Sequence, residues 1–458
     1  MSASGLSAAE QRMRERGEAD DAIRSFARAY QRYAAGESAT ISSAELEPAG
    51  EGVHELEELA DADPARALAG VVQIKLNGGL ATTMGLRSPK SLVMAREGLR
   101  FLDVLIGQTL ALRARHGVRL PLLLMDSEVT QAPTLAALAA HAELASPGLA
   151  EDFLQSMIPK IDVATGGPVS WPAAPELEWC PPGHGDIYGA LRRSGALHAL
   201  LDAGFTHGIV SNSDNLGATA DARIAAYVAA EGIPFLMEVV EGTEADRKGG
   251  HIARRRADGR LVLRETAQTP EGEEESFRDF RRWRFYNTNN LWIDLRVLEA
   301  TLVAADGVIE LPLIVNRKTV DPRDPATPAV VQLESAMGAA ISSFAGAQVL
   351  CVPRSRFVPV KSTDDLLVLR SDTYELTAEM EVRTRGALPF VELDPRVYRL
   401  LDEFERRFPA GAPSLRAAER LIVHGDITFG AGVVVRGSVE LDAAEPLRIP
   451  DGATLGGG

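Results

Sequence analysis

"VVQIKLNGGLATTMGLRSPKSLV", residues 71–93, carries an apolar segment into a glycine-rich loop that ends in a proline and a lysine. The apolar segment predicts a buried strand, and Gly78 and Gly79 follow it directly. One interpretation is a tight turn between a strand and a helix. The other is a loop that holds phosphate with backbone N–H groups, because a Cβ at such positions would block an anion. Lys90 would then add a positive charge, although the loop matches neither a Walker motif nor a GxGxxG fingerprint.

The rest of the chain indicates what kind of sheet this strand joins. From about residue 70, short apolar segments alternate with amphipathic ones. They predict strands at 71–76, 120–126, 207–214 and 233–241, and helices at 101–117, 134–144 and 221–232. Such alternation predicts an α/β fold with a Rossmann-like mixed, mainly parallel sheet flanked by helices. Ligands of such sheets bind at the carboxyl ends of the strands.

The N-terminal segment has the spacing of one helical face. Ile23, Phe26, Ala27, Tyr30 and Tyr33 recur at the period that packs a helix against a core. We therefore expect a helical N-terminal cap, and packing against the core fully explains the spacing of its apolar residues.

The C-terminal segment, residues 421–458, repeats apolar residues every six positions with glycines between them. Ile427, Val433 and Val439 form one such series. This period predicts a short left-handed parallel β-helix, and an irregular β-hairpin is the alternative. The expected domains are a cap and connector at 1–55, an α/β domain at 56–385 and the β-helix at 386–458.

Composition narrows the classes of function. The chain has 458 residues and a formal net charge of -16, which argues against a broad surface for nucleic acid or anionic membranes. In so acidic a protein, Lys75, Lys90 and Lys361 are candidates for local anion binding. Cys180 and Cys351 lack metal-ligand spacing, so we expect buried thiols in a reducing compartment. The N-terminal residues carry charges where a signal peptide is apolar, and no apolar run approaches the roughly 20 residues that span a bilayer. We expect a cytoplasmic protein with no nucleic-acid or membrane partner.

Two further loops carry polar residues beside predicted strands. In "CPPGHGDIYGAL", residues 180–191, His184 stands between two glycines, and both ligand contact and core packing remain open for it. In "GIVSNSDNLGA", residues 208–218, a strand ends in Asn212 and Asp214. A carboxylate there suits Mg²⁺, which takes one or two carboxylates together with substrate phosphates. The alternative is that this aspartate caps the following helix.

Two later stretches complete the set. "FYNTNNLWIDL", residues 285–295, holds three asparagines in four residues, and their amides match sugar hydroxyls. "FVPVKSTDDLLVLRSD", residues 357–372, places Lys361 directly before a helix start at Ser362, whose Ser-x-x-Asp spacing resembles a capping box. An anion near such a helix start would be stabilised. Together, the glycine loop, the lysines, the aspartate and the amides predict a site for a nucleotide and a phosphorylated small molecule.

In this order, the motifs resemble those of eukaryotic-type UTP–glucose-1-phosphate uridylyltransferases, also called UDP-glucose pyrophosphorylases. The matching stretches are "KLNGGLATTMGLRSPKS", "PPGHGDIY", "SNSDNLGA", "DRKGG", "NTNNLW", "IVNRKTVDP", "VQLESAMGAAI" and "FVPVKSTDDLL". They extend from residue 75 to about residue 370, and the C-terminal repeat resembles the β-helix domain of that family. Sister pyrophosphorylases for N-acetylhexosamine 1-phosphates have a different loop without the Lys-Leu-Asn-Gly-Gly start, which favours the glucose branch.

The resemblance implies a Mg²⁺-dependent nucleotidyltransferase that converts UTP and glucose 1-phosphate to UDP-glucose and pyrophosphate. It implies catalytic roles for Lys90, Lys361 and Asp214, of which Asp214 also binds the metal. The implied nucleotide contacts are Leu76, Asn77, Gly78, Gly79, Lys90, Gln155, Gly183, Asn212, Asp214 and Lys361. The implied contacts to the sugar phosphate are His184, Asn212, Gly250, Glu265, Asn287 and Asn289.

Two positions depart from the family pattern. Ala81 stands where the family usually has glycine, and we expect a negative φ there, so that alanine only stiffens the loop. Gly189 is a glycine where the family usually has none.

The sequence leaves three questions about function open. Galactose 1-phosphate and an N-acetylhexosamine 1-phosphate are alternatives to glucose 1-phosphate as the sugar substrate. A catalytically silent homologue that binds UDP-sugars is a further alternative, although the three implied catalytic residues are present. An exposed end of the β-helix also makes a homo-oligomer possible.

Overall fold

The structure is a computed structural model that describes residues 3–37, 40–50, 52–80, 84–86 and 88–457. Within these ranges the helices α1 to α13 are, in chain order, Ala3–Arg16, Asp20–Ala34, Pro64–Leu68, Phe101–His116, Glu128–Leu138, Ile187–Arg193, Ala196–Asp202, Ala222–Ala230, Glu274–Phe277, Leu295–Ala304, Thr363–Arg370, Pro395–Tyr398 and Leu401–Arg407. The strands β1 to β24 are Leu46–Pro48, His54–Glu55, Val71–Leu76, Met94–Arg96, Leu99–Arg100, Leu122–Asp126, Asp152–Leu154, Ile158–Pro159, Ile161–Asp162, Trp179–Cys180, His207–Asn212, Phe235–Glu241, His251–Arg255, Leu261–Arg264, Phe285–Asp294, Ile314–Thr319, Ala329–Glu334, Gln348–Cys351, Tyr374–Leu376, Val382–Thr384, Phe390–Leu393, Ser414–Phe429, Val434–Ile449 and Thr454–Leu455.

A mixed sheet forms the centre of the described structure. Its main path runs β2-β18-β12-β15-β11-β3-β6-β7, and β1, β13 and β14 join beside it. Neighbours on the path are parallel, except that β15 is antiparallel to both β11 and β12. The predicted α/β fold with a mixed, mainly parallel sheet is therefore confirmed.

Strand β3 lies inside this sheet and is buried on both faces. Val72 and Ile74 belong to a core cluster that includes residues of α6, α7 and α10. Val71 belongs to a second cluster, which includes residues of α8. Burial on both faces explains why the strand is largely apolar, and its two polar side chains, Gln73 and Lys75, are buried and hydrogen-bonded. The other three predicted strands are also confirmed, with bounds shorter by a few residues.

The predicted helices differ in how well their bounds hold. Helix α4 spans Phe101–His116 as expected, and it ends at Gly117 in the left-handed conformation. Helix α8 follows the N-cap Asp221. The prediction of one helix over 134–144 was wrong, because α5 spans Glu128–Leu138 and a separate short turn covers Ala142–Leu144. A reciprocal capping pair between Ser127 and Thr130 starts the helix earlier than its apolar residues suggest.

The N-terminal helices α1 and α2 pack on the body of the protein. Ile23, Phe26 and Tyr30 are buried in one cluster with Ile158 and Val331. The predicted stripe therefore packs against a core.

The C-terminal segment forms a four-stranded sheet in which β21, β22, β23 and β24 are parallel neighbours. Leu421 pairs with Val439 and Val423 with Leu441, in each case three six-residue spacings further along the chain. Parallel pairing excludes the β-hairpin alternative, whose strands would be antiparallel.

Two further expectations concern cysteines and membranes. Both Cys180 and Cys351 are buried and unpaired. Among the described residues, no helix combines the length and the apolar character needed to cross a membrane.

Candidate functional site

Three parallel strands bring polar residues together at their carboxyl ends. Leu76, the last residue of β3, pairs with Asn212 of β11 on one side and with Met125 of β6 on the other. The carboxyl ends of these strands therefore lie side by side. The loops that follow them carry the predicted nucleotide and metal residues, as expected for a ligand site in such a sheet.

The glycine loop after β3 is shaped by its contact with Gln155. The Gln155 N–H donates to the backbone oxygen of Asp126 at 2.9 Å, and this bond holds Gln155 at the carboxyl end of β6. A Cβ on Gly78 would collide with the Gln155 amide, so only glycine allows this approach. Gly79 is exposed, and its carbonyl oxygen accepts the Lys90 N–H at 3.4 Å. The loop thus places Gly78 and Gly79, two predicted nucleotide contacts, close to Lys90.

Asn77 connects this loop to a buried acid. Its Nδ2 donates to Asp126 Oδ1 at 2.7 Å and to Thr134 Oγ1 at 2.9 Å. Thr130 donates to the same carboxylate oxygen at 2.8 Å. Thr134 Oγ1 also donates to that oxygen, at 3.2 Å. Burial raises the pKa of Asp126 to about 6, and the hydrogen bonds from Asn77, Thr130 and Thr134 oppose that shift only in part. The sequence pattern does not single out this aspartate, because its partners come from separate elements.

Lys90 and Asp214 form an ion pair at the carboxyl ends of these strands. Lys90 Nζ donates to Asp214 Oδ2 at 2.6 Å, and both side chains are largely buried. The other oxygen, Asp214 Oδ1, is buried and has no hydrogen-bond partner among the described residues. The helix-cap alternative for Asp214 is wrong, because Asp221 caps the following helix.

The unpartnered oxygen of Asp214 fits a divalent cation. A buried acceptor without a partner is costly, and a hard cation would satisfy it. Within the described ranges, no group of three or more His, Cys, Asp or Glu side chains is placed to hold a metal ion. The donor set therefore fits Mg²⁺, which is commonly bound through one or two carboxylates and substrate phosphates.

His184 lies in a tight loop against the segment that follows β17. Gly183 has a φ of +82°, and a Cβ there would collide with the Ser335 backbone, so glycine is required on both grounds. His184 Nδ1 accepts the N–H of Met337 at 3.0 Å. Burial lowers the pKa of His184 to about 4, so the ring is neutral at pH 7. Because Nδ1 accepts, the proton is on Nε2, which makes that nitrogen a donor.

The asparagine-rich strand β15 contains a bulge. Asn290 pairs with Glu238 and Asn287 pairs with Val239, so two residues of β15 have no partner on β12. Asn289 lies in this bulge with a φ of +58°. Asn287 Nδ2 donates to Asn289 Oδ1 at 2.8 Å, and Asn287 Oδ1 accepts the Asn289 N–H at 2.9 Å. Bulges re-aim side chains beside active sites, and here the two amides hold each other in place.

Gly250 and Glu265 lie next to these amides. The Gly250 carbonyl oxygen accepts the Asn287 N–H at 2.9 Å. A Cβ on Gly250 would lie 2.6 Å from a Glu265 carboxylate oxygen. Burial raises the pKa of Glu265, and the charge of Lys361 partly opposes the shift. Lys361 is thus close enough to act electrostatically on Glu265.

The position of Lys361 follows from helix α11. Its backbone N–H donates to Asp365 Oδ2 at 2.7 Å, and the same oxygen accepts the Ser362 N–H at 2.9 Å. Ser362 and Asp365 form a capping box at the start of the helix, as the spacing predicted. The lysine side chain is exposed beside the helix N-terminus.

Both the sequence and the fold of the chain match known proteins. The model of the UTP–glucose-1-phosphate uridylyltransferase family matches residues 23–436. This chain belongs to that family. The enzyme of that name from Solanum tuberosum is 39% identical over 438 residues, which cover 93% of this chain and 89% of the relative. The enzyme from Saccharomyces cerevisiae is 36% identical over 394 residues, which cover 85% and 77%.

Solved structures of the uridylyltransferase family match the whole fold. A mutant UDP-glucose pyrophosphorylase from Leishmania major in complex with UDP-glucose is 41% identical with a TM-score of 0.92, and the match covers 99% of this chain and 98% of that one. The Trypanosoma brucei protein is 38% identical, again with a TM-score of 0.92 and coverage of 99% and 98%.

The two departures from the family pattern have different outcomes. Ala81 lies outside the described residues, so its expected φ stays a prediction. Gly189, in α6, makes room for Arg193, whose guanidinium a Cβ there would strike. Arg193 donates to Asp186 Oδ1 and to Ser156 Oγ, both at 2.6 Å. The glycine thus allows an ion pair beside the loops of the site.

Proposed function

We propose that the protein transfers the uridylyl group of UTP to glucose 1-phosphate, giving UDP-glucose and pyrophosphate in a reversible reaction. The observation that carries this proposal is the Lys90–Asp214 pair at the strand ends, in which one Asp214 oxygen has no partner in the described part of the chain. Membership of the uridylyltransferase family supports the same reaction.

The proposed step is an in-line displacement. A phosphate oxygen of glucose 1-phosphate forms a bond to the α-phosphorus of UTP. The bond from that phosphorus to the oxygen that bridges to the β-phosphate breaks, and its electron pair leaves with pyrophosphate. The attacking oxygen is already an anion, so no general base is required. The difficulty is to bring two polyanions together, which calls for electrostatic positioning.

We assign the charged groups to this task. Lys90 steadies the leaving pyrophosphate, and Lys361 stabilises the charge that develops at the pentacoordinate phosphorus. Asp214 is the residue that would hold Mg²⁺, whose charge would neutralise part of the negative charge of the substrate phosphates. Asn212, at the end of β11, would contact both substrates.

The remaining nucleotide contacts are neutral. We propose that the loop after β3 lines the nucleotide and that the uracil lies near Gln155 and Gly183. The contact of Gly78 with the Gln155 amide supports a shared surface for the base. The loop contacts are Leu76, Asn77, Gly78 and Gly79.

The sugar contacts are hydrogen-bonding groups. We propose that Asn287, Asn289, Glu265 and the Gly250 backbone bind glucose hydroxyls. His184 donates from Nε2 to the sugar phosphate, because its Nδ1 accepts a backbone N–H. With a pKa lowered to about 4 by burial, this ring is a hydrogen-bond donor and no acid–base catalyst near neutral pH.

The alternatives are less well supported. Another sugar 1-phosphate would keep the chemistry and change only the pocket around Asn287 and Asn289. A silent homologue is expected to lack at least one of Lys90, Asp214 and Lys361, and this chain has all three.

We also propose the finer architecture. Residues 1–55 would form the helical cap and connector, residues 56–385 the catalytic domain, and residues 386–458 a left-handed parallel β-helix. The parallel pairing of β22 with β23 at three six-residue spacings supports the β-helix. We further propose that copies of the chain pair through the outer edge of this β-helix and that the protein is cytoplasmic.

Pyrophosphate release tests the function directly. The purified protein is incubated with UTP, Mg²⁺ and a panel of sugar 1-phosphates, with and without EDTA. We expect the fastest release with glucose 1-phosphate and none with EDTA. Fastest release with another sugar would move the specificity to the asparagine pocket. No release with any sugar would contradict the proposal and favour the silent homologue.

A further inference from the structure

Asn215 is a buried amide whose hydrogen-bonding capacity is fully used. It is 1% exposed. Its Nδ2 donates to Asn290 Oδ1 at 3.0 Å and to the Arg356 carbonyl oxygen at 3.2 Å. Its Oδ1 accepts the N–H of Val358 at 2.8 Å and of Gly217 at 3.2 Å. An asparagine has two donor hydrogens and two acceptor lone pairs, so these four bonds satisfy all of them.

These bonds join three segments that each carry a proposed site residue. Asn215 itself directly follows Asp214. Its partner on β15 directly follows Asn289 in the bulge. Its partners in the third segment lie shortly before Lys361, and Asn215 also forms an isolated β-bridge with Pro359. One amide therefore connects the segments that carry Asp214, Asn289 and Lys361.

The partners of Asn215 are themselves held in place. Glu238, fully buried, accepts from Asn290 Nδ2 at 3.1 Å and from Trp292 Nε1 at 2.9 Å. Arg356 donates to both Glu238 oxygens, at 2.7 and 2.8 Å. A buried charge pair held by several hydrogen bonds resists displacement, because any displacement leaves a charge unpaired.

Lys75 holds the other side of the same loop. Its Nζ donates to Ser211 Oγ at 2.7 Å and to the Ala218 carbonyl oxygen at 2.6 Å, so it connects the two ends of the loop that contains Asn215. The loop is thus fixed at its ends by Lys75 and at its middle by Asn215.

We propose that Asn215 is a positioning residue for uridylyl transfer, whose amide sets the distances between Asp214, Lys361 and Asn289. This inference rests on the proposed function. It does not require Asn215 to touch either substrate. A purely structural amide in the same place would affect stability and leave the turnover of the folded enzyme unchanged.

The test compares Asn215→Ala and the milder Asn215→Ser with a matched control, Gln73→Leu. Gln73 is also a buried amide, but it donates to Thr109 of α4, outside the network. For each protein, the measurements are the thermal unfolding midpoint, kcat and KM for both substrates, and the affinity for UMP. Displacements of about 1 Å cost about 10²-fold in rate, so we expect kcat of Asn215→Ala to fall by about that factor. The affinity for UMP should change far less than kcat, because none of the four hydrogen bonds of Asn215 reaches Gln155 or Gly183, the proposed contacts of the base.

The outcomes distinguish failure of the inference from failure of the proposed function. A large loss of kcat in both Asn215 variants, with the control at wild-type kcat and comparable destabilisation, supports the inference. If Asn215→Ala does not fold, Asn215→Ser with a wild-type kcat overturns it, as does equal loss in the control. Wild-type protein without uridylyl transfer would overturn the proposed function and this inference with it. Active wild-type protein with fully active Asn215 variants would overturn the inference alone.

Discussion

The two proposed sides of the candidate site are built by different means. The proposed phosphate side has Lys90 in direct contact with Asp214, and one carboxylate oxygen has no partner among the residues that the structure describes. The sugar side has Asn287 and Asn289 bonded to each other, beside Gly250. An ion pair is the main feature of the first side, and a close fit of neutral groups is the main feature of the second. We infer that the phosphate side is sensitive to the loss of a charge, whereas the sugar side is sensitive to the addition of a single carbon atom.

The largest effect is expected from removing charge on the phosphate side. Asp214→Ala takes away the proposed metal carboxylate and leaves Lys90 without its partner. One such electrostatic group contributes about 10²–10³-fold to turnover, so we expect kcat to fall by that factor. Steady-state pyrophosphate release at saturating UTP and glucose 1-phosphate measures it. Lys361→Ala should show a loss of similar size.

Asp214→Asn is the matched control, because it keeps the size of the side chain and removes only the charge. We expect the same loss as with alanine. Near-normal turnover in both Asp214→Ala and Lys361→Ala would show that these roles are assigned wrongly.

A smaller and more selective effect is expected on the sugar side. In Gly250→Ala, the new Cβ would lie 2.6 Å from a Glu265 carboxylate oxygen, so that side chain must move. One extra methyl group in a binding pocket changes discrimination roughly tenfold or more, so we expect KM for glucose 1-phosphate to rise roughly tenfold while KM for UTP stays constant. Gly50→Ala adds the same atom where nothing lies within 4 Å and serves as the control. An equal rise in both KM values would mean that the two sides are not separate.

The sequence predicts the two sides unequally. Strand β3 is predictable because a short, largely apolar segment runs into a glycine loop, and Asp214 because an acid follows a strand end. The bulge at Asn289 is not, since it depends on the register between β15 and β12. The same limit applies to Asn215 and Asn290, which are far apart in the chain and meet only in the folded sheet. Local patterns give elements and strand ends, whereas the packing of distant segments gives the supporting network.

The smallest effect concerns stability and comes from Asp126, the acid behind the phosphate side. Its pKa is raised from 3.8 to about 6 by burial, so the folded protein binds this proton more tightly than the unfolded chain. The contribution of Asp126 is therefore most favourable below pH 3.8. It weakens as the pH rises to about 6 and is a constant cost above that value. At about 1.4 kcal/mol for each pKa unit, the change across this window is about 1 to 3 kcal/mol.

Asp126→Asn removes this titration and keeps an oxygen that accepts from Asn77 and Thr130. We expect the stability of the variant relative to wild type to increase between pH 4 and pH 6 and to level off above that window, as measured by thermal unfolding across the range. Turnover should change far less than in Asp214→Ala, because Asp126 lies behind the loop and makes no proposed contact with substrate. Parallel pH profiles for the two proteins would show that Asp126 does not titrate in this window. A loss of turnover as large as that of Asp214→Ala would place Asp126 among the groups that act on the phosphates, and the phosphate side would then extend one layer deeper into the sheet.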